Sequence, residues 1–239
     1  HGSSWVRPPY VVTPVQGMER INPDSEVIFN DGSNLESARK LAREADAVVF
    51  VVGYNHDDEG EFVSADQAAN YTGAMGGDRK ASLGLHEDEI KLIQEVGPEN
   101  KNSTVVLIGG NMIMMTEWYD CVNAVMMAYY PGMEGGTAIA EILYGDVNPS
   151  GKLPYVVPYK EEDLPYVDWE ATDQYYEYYH GYTRLEKHGI RPLVPYGYGL
   201  SYTTFDFAEP TAAVEGDQLV VHAKVKNTGT ISGDEVVQV

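Results

Sequence analysis

Cysteine is almost missing from this chain. The single thiol, Cys121, excludes an intrachain disulfide and any cysteine-based zinc site. Also missing is any apolar run approaching the ~20 residues of a membrane-spanning helix. Cations are scarce: 16 Lys and Arg stand against 37 Asp and Glu, for a formal net charge of -21. Such a charge disfavours nucleic acid and anionic membranes as partners, so neither is expected. The acids are spread along the sequence, which argues against a disordered acidic tail. No internal repeat stands out. The first residue is His1 rather than Met, so the chain reads as a processed or excised piece and its compartment stays open. Asn70-Tyr71-Thr72 and Asn102-Ser103-Thr104 fit the glycosylation acceptor pattern, which arises too often by chance to fix a compartment.

What is present is an α/β pattern. Hydrophobic residues make up 43% of the chain, enough for an ordinary core. Residues 47–53, 104–108 and 122–129 are continuous apolar runs, and Ser25 to Phe29 is a shorter strand candidate. Helix patterns lie between them. Ser33 with Glu36 reads as a capping box opening a helix through Leu35, Ala38, Leu41 and Ala42. Residues 87–96 place Ile90, Leu92 and Ile93 inward, a short helical segment fits Met112 to Tyr119, and Gly135-Gly136 opens a helix through Ile139 and Leu143. The first 25 residues, with Pro8-Pro9 and Pro14, read as extended. Apolar strands alternating with helices predict a mostly parallel sheet with helices on both faces. Between Asn148 and Tyr202 proline, glycine and tyrosine crowd together and helical periodicity fades. From Phe205 a β pattern begins: a strand over 219–225, a turn at Asn227-Thr228-Gly229 and another strand from Glu235, as in a β-sandwich that is not completed.

The chemistry points to the segment after the strand at 47–53. There Asp57, Asp58, Glu59 and Glu61 crowd into five positions, and the chain runs on to Gly76-Gly77-Asp78-Arg79 before a helix resumes near His86. Connections longer than about 15 residues inside a compact domain are usually functional or disordered. The carboxyl end of a parallel strand is where α/β folds place ligands. Crowded carboxyls resist joint ionisation, so at least one binds its proton more tightly, as general-acid work near neutral pH requires. Taken alone, however, an acidic run is most simply a solvated surface.

Five segments carry a resemblance to a known family. They are Gly2-Ser3-Ser4 with Pro8-Pro9-Tyr10 and Thr13-Pro14; Gly77-Asp78-Arg79 with Leu83 and Leu85; residues 130–136, YPGMEGG; residues 145–154, GDVNPSGKLP; and residues 195–205, PYGYGLSYTTF. In order and spacing they resemble the second domain of glycoside hydrolase family 3, the group of β-glucosidases and β-xylosidases. The resemblance implies an α/β sandwich over residues 1–204 and the start of a fibronectin type III-like domain over 205–239. It implies a retaining, exo-acting β-glycosidase, most simply a β-glucosidase, needing no cofactor and no metal. A (β/α)8 barrel outside this chain would supply the aspartate nucleophile, and this chain the acid/base glutamate. Gly60-Glu61-Phe62 fits the family pattern best, with Glu59 the alternative. Asn55, His56, Phe62 and Arg79 are the substrate-side candidates; Arg79 suits positioning more than direct chemistry, and His56 reads more as a bystander. The substrate would be an oligosaccharide or an aryl or alkyl β-glycoside.

Other residues read more plainly. Asp168-Trp169 looks like a nucleophile-aromatic pair but lies in the proline-rich segment without the serine expected before it, so it reads as structural. Met112, Met114, Met115, Met126 and Met127 read as core filler. The tyrosines of 175–182 pack over the domain or against the barrel. Two other classes compete for the acidic run. A phospho-acceptor receiver domain would need a shorter following loop and a lysine ending a later strand, and neither is present. A calcium- or carbohydrate-binding module could use clustered oxygens, but the spacing of an EF-hand loop is lacking.

Overall fold

The computed structural model of the chain describes residues 6–55, 58, 82–168 and 171–238. Its centre is a three-stranded sheet of β1 (Val48–Gly53), β2 (Ser103–Ile108) and β3 (Ala124–Tyr129), in that order across the sheet. Both pairings are parallel, with Val48 opposite Ser103 and Thr104 opposite Ala124. The β-branched, apolar composition of β2 suits a strand covered on both sides. Val105 and Val106 point to opposite faces, and both are 0% exposed.

One face packs against α2 (Leu35–Glu44) and α3 (Glu87–Val96). Phe50 and Val52 of β1 and Val105 and Leu107 of β2 meet Ala38, Ala42, Ile93 and Val96 there. The β2–β3 connection adds Ile113, Met115 and Trp118 to the same core. A second helix pair, α1 (Pro14–Ile21) and α4 (Gly135–Tyr144), packs backbone to backbone. A Cβ on Gly17 would sit 2.0 Å from the Gly136 carbonyl oxygen, so the close approach requires glycine. A further helix, α5 (Gly181–His188), buries Leu185. Strands β4 (Phe205–Glu215) and β5 (Gln218–Asn227) form a separate antiparallel hairpin.

Several local expectations are corrected. Pro14 does not keep the first residues extended; it occupies the first position of α1, where its missing N–H costs nothing, and Thr13 caps the helix with Gln16 in a reciprocal capping box. The N-cap of α2 is Asn34, whose Oδ1 accepts from the Ser37 N–H at 2.9 Å. Ser33 instead bonds back to Asp31, its hydroxyl donating at 2.7 Å. Ser25–Phe29 forms no strand: no described strand runs beside it, and Ile28 and Phe29 are exposed. The segment expected to be helical from Met112 to Tyr119 is not an α-helix, because Met114 bridges to Gly84 and Trp118 turns into the core before a 3-10 turn at Tyr119–Cys121. Helix α5 was not legible in the tyrosine-rich stretch, since Leu185 is its one buried residue. Residues 235–238 are not a strand; Glu235 is drawn instead to Lys152, Oε1 to Nζ 3.0 Å.

Candidate active site

Residues 53–55 at the end of β1 and residues 82–86 just before α3 flank the segment 56–81, and these two feet are tied to each other. Gly53 closes β1 at φ +136, with the Ile108 carbonyl oxygen only 1.9 Å from where a Cβ would stand. No other residue fits that position. The Tyr54 N–H then donates to the same Ile108 oxygen at 2.8 Å. The buried Tyr54 side chain reaches the returning foot, its hydroxyl lying 2.8 Å from the Leu83 carbonyl and 2.9 Å from that of Gly84.

Glu89, in the first turn of α3, makes the second tie. Its Oε1 accepts from the Gly53 N–H at 3.0 Å and its Oε2 from the His86 N–H at 3.1 Å. Asp58 makes the third. Its Oδ2 accepts from the Asn55 N–H at 2.9 Å, while Oδ1 lies 2.8 Å from His86 Nε2. Glu161 holds the returning foot from outside, accepting from the Leu83 N–H at 2.7 Å and from the Ser82 hydroxyl at 3.1 Å. The Met114 N–H completes the returning foot by donating to the Leu83 carbonyl at 2.8 Å. Three carboxylates thus work as acceptors for backbone N–H groups at the base of this segment, where each neutralises a donor that a loop would otherwise leave unpaired.

Of the residues expected at the site, Asn55 lies on the departing foot, exposed, with its backbone bonded to Asp58. Glu59, Glu61, His56, Phe62 and Arg79 lie outside the described residues, as does Asp57. Asp168 bonds through its N–H to Gln174 Oε1 at 2.9 Å, within its own loop; Trp169 lies outside the described residues. Sequence reasoning missed Tyr54, His86, Glu89 and Glu161 as parts of the stem. Glu89 had a local signal, standing three residues after the N-cap of α3. Glu161 had none, because its partners lie 78 and 79 residues earlier in the chain.

The sheet's carboxyl end holds one more irregularity. The register shifts between Leu107 and Ile108, and Tyr129 ends β3 with φ +53, a strained backbone for a bulky residue. Its ring meets Tyr155 edge-on at 6.4 Å. Burial, then the Tyr129 hydroxyl, pushes the Tyr155 phenol well above its usual range.

Four described carboxylates are clearly displaced from the usual range, all of them downward. Asp31 is held down by Ser33, Glu99 by Arg39 and Arg43, Glu134 by the hydroxyls of Thr137 and Tyr10, and Glu235 by Lys152. A carboxyl held ionised serves as a structural acceptor, not as a general acid near neutral pH. Among the described residues, no group of three or more His, Cys, Asp or Glu is placed to hold a metal ion. No described helix is long and apolar enough to cross a membrane.

Residues 1–202 match the family model for the glycosyl hydrolase family 3 C-terminal domain. The chain belongs to that family. The chain is 33% identical over 214 residues to a β-glucosidase of Bacteroides ovatus, covering 84% of this chain and 27% of that protein. It is 32% identical over 244 residues to a β-xylosidase of Formosa agariphila, covering 97% of this chain and 31% of that one. Among solved structures, a β-glucosidase from Chaetomella raphigera superposes with a TM-score of 0.82 at 27% identity, covering 97% of this chain and 34% of that one. A β-D-glucoside glucohydrolase from Trichoderma reesei superposes at 0.77 with 25% identity, covering 88% of this chain and 29% of that one. The family 3 resemblance and the mixed α/β fold with a parallel sheet are thereby borne out. The chain spans 24% to 34% of the length of these and similar relatives.

Proposed function

We propose that this chain is the acid/base-bearing part of a retaining, exo-acting β-glycosidase of family 3, with β-glucosidase specificity. It releases terminal β-D-glycosyl residues from an oligosaccharide or an aryl or alkyl β-glycoside. Residues 1–204 form the sandwich domain, and 205–239 begin a fibronectin type III-like domain. A (β/α)8 barrel of the same enzyme, outside this chain, carries the aspartate nucleophile. The single observation that carries the reading is the stem: an acid-rich segment rooted at the carboxyl end of a parallel strand, with both feet cross-tied. The rigid base lets the intervening residues present a carboxyl group to a partner domain reproducibly.

Glu61 is assigned as the acid/base, with Glu59 the alternative. In the first step a carboxylate on the barrel attacks the anomeric carbon while the Glu61 carboxylic acid donates its proton to the departing glycosidic oxygen. In the second, the Glu61 carboxylate takes a proton from water, which attacks the anomeric carbon, displaces the barrel carboxylate bound there in the first step and releases the sugar with its β configuration retained. The two carboxyls must stand about 5 Å apart for this sequence. Asn55, His56 and Phe62 are the substrate-side residues, and Arg79 positions the segment.

The test is made in the full-length enzyme. Glu61→Ala should lower kcat/KM by roughly 10²–10⁴-fold on substrates with poor leaving groups; on those with good leaving groups breakdown of the glycosyl-enzyme should limit kcat, and azide should restore part of that rate. If Glu59→Ala shows this behaviour and Glu61→Ala does not, the role passes to Glu59. If neither does, the chain does not carry the acid/base. The chain alone should not turn over aryl β-glucosides at enzyme-like rates.

A further inference from the structure

The described residues of 164–168 and 171–182 expose several large aromatic side chains. Tyr166, Tyr175 and Tyr178 are 81%, 88% and 82% exposed, and Tyr176 is also exposed. Ring contacts join the neighbouring tyrosines, which are themselves exposed. Tyr182 stacks on Tyr196 with ring centroids 4.7 Å apart, Tyr178 meets Tyr179 edge-on at 5.2 Å, and Lys187 Nζ sits 4.1 Å from the Tyr179 ring centre. The backbone that carries these rings is fastened to itself. Gln174 receives the Asp168 N–H on Oε1 and donates through Nε2 to the Tyr166 carbonyl at 2.6 Å. Arg184 ties α5 to the Asp163 carbonyl at 3.0 Å. Tyr166, Tyr175, Tyr176 and Tyr179 frame a cleft of about 230 Å³ whose remaining walls are Pro165, Glu177, His180 and Arg184.

We propose that this tyrosine face is the surface on which the remaining polypeptide of the full-length enzyme packs. The inference rests on the multidomain reading above and names the surface that joins the parts. Three observations favour a protein occupant. Exposed tyrosines held on a fixed backbone, with an arginine and a few polar groups among them, match the composition of protein interfaces, where rigid aromatic anchors bind at low entropic cost. The chain covers 27% and 31% of two relatives, so most of such an enzyme lies outside it and is available to cover the face. The face is also continuous with the stem of the acid-bearing segment. Residues 161–163 form one 3-10 turn, in which Glu161 binds the Ser82–Leu83 foot while the Asp163 carbonyl holds Arg184 of α5. A domain seated on the tyrosines is therefore held beside the foot from which the acid-bearing segment returns. The net charge of -21 opposes an anionic membrane as the occupant.

Hydroxyl-radical footprinting of the native full-length enzyme, read by mass spectrometry against the same enzyme in urea, tests this without using activity. Oxidation of Tyr166, Tyr175 and Tyr178 should be severalfold slower in the native enzyme, with no sugar added and independently of protein concentration. The Tyr175→Ser, Tyr178→Ser double variant should restore oxidation of Tyr166. Tyrosines as reactive in the native enzyme as in urea would overturn the proposal. So would protection that appears only with added cello-oligosaccharide, which would make the face a sugar platform, or protection lost on dilution, which would make it a contact between copies. Because protection is measured in the wild-type enzyme, it stands or falls separately from the assignment of Glu61.

Discussion

Strands β2 and β5 each carry a Val-Val pair and live in different surroundings. Strand β2 is apolar from Val105 to Ile108, whereas β5 intersperses His222, Lys224 and Lys226, and both are paired with a neighbouring strand. In β2 the side chains on both faces are covered. In β5 Leu219 is 68% exposed, and Val221 and Val225 are exposed too. The hairpin is pinned at its base by polar bonds instead. The Thr203 hydroxyl donates to Asn227 Oδ1 at 2.8 Å, and Asn148 accepts from the Ser201 hydroxyl and the Tyr202 N–H. A two-stranded hairpin alone is marginal in water. The difference teaches that the sheet is held by burial and can serve as a fixed base for chemistry, whereas the hairpin is held by its pairing and a few anchors.

The largest effect should come where the sheet meets the site. Gly53→Ala places a methyl against the Ile108 carbonyl and forces a disfavoured φ, so urea denaturation should show a loss of about 3 kcal/mol or more. Next, truncation should separate the two regions. Ile93→Ala, in the fully buried core, should cost about 2–5 kcal/mol, while Leu219→Ala on the hairpin should stay within roughly 0.5 kcal/mol. Equal costs would erase the distinction.

Smaller effects should come from the polar anchors. Asn100 is buried and its Nδ2 donates to the carbonyls of Ala42 and Ala45 at the end of α2. Removing it as Asn100→Ala strands those acceptors and should cost about 1–3 kcal/mol. Asn148→Ala, beside the hairpin, should cost about 1 kcal/mol and raise hydrogen exchange in the hairpin without changing exchange in β2. The smallest effect is set by pH. Lys152 holds the Glu235 carboxyl below its usual range, so the pair contributes stability above the unfolded value of about 4.3 and loses it as pH falls through the lower folded value. A Tm difference between wild type and Glu235→Gln should be present at neutral pH and vanish in acid.

Much of the fold was legible because burial writes itself into local pattern. Residues 47–53, 104–108 and 122–129 announced a parallel sheet through continuous apolar composition, and the helix at 87–96 has the bounds its periodicity predicts. Elements decided by few contacts were not legible. Helix α5 rests on Leu185, and the extended residues at 235–238 answer to Lys152, far away in sequence. The site divides in the same way. The acidic segment was visible as composition, but the ties that root it, from Tyr54 to Leu83 and from Glu161 to Ser82, are long-range contacts with no sequence period. Glu59 and Glu61 are told apart by neither.

The claim on which the function turns is that Glu61 delivers a proton to the leaving group. Its direct measure is the dependence of kcat/KM on leaving-group acidity in full-length Glu61→Ala. Aryl β-glucosides with acidic phenols need little protonation and should be cleaved much as by the wild type, while alkyl β-glucosides should lose nearly all turnover. An equal loss across the whole series would contradict the assignment.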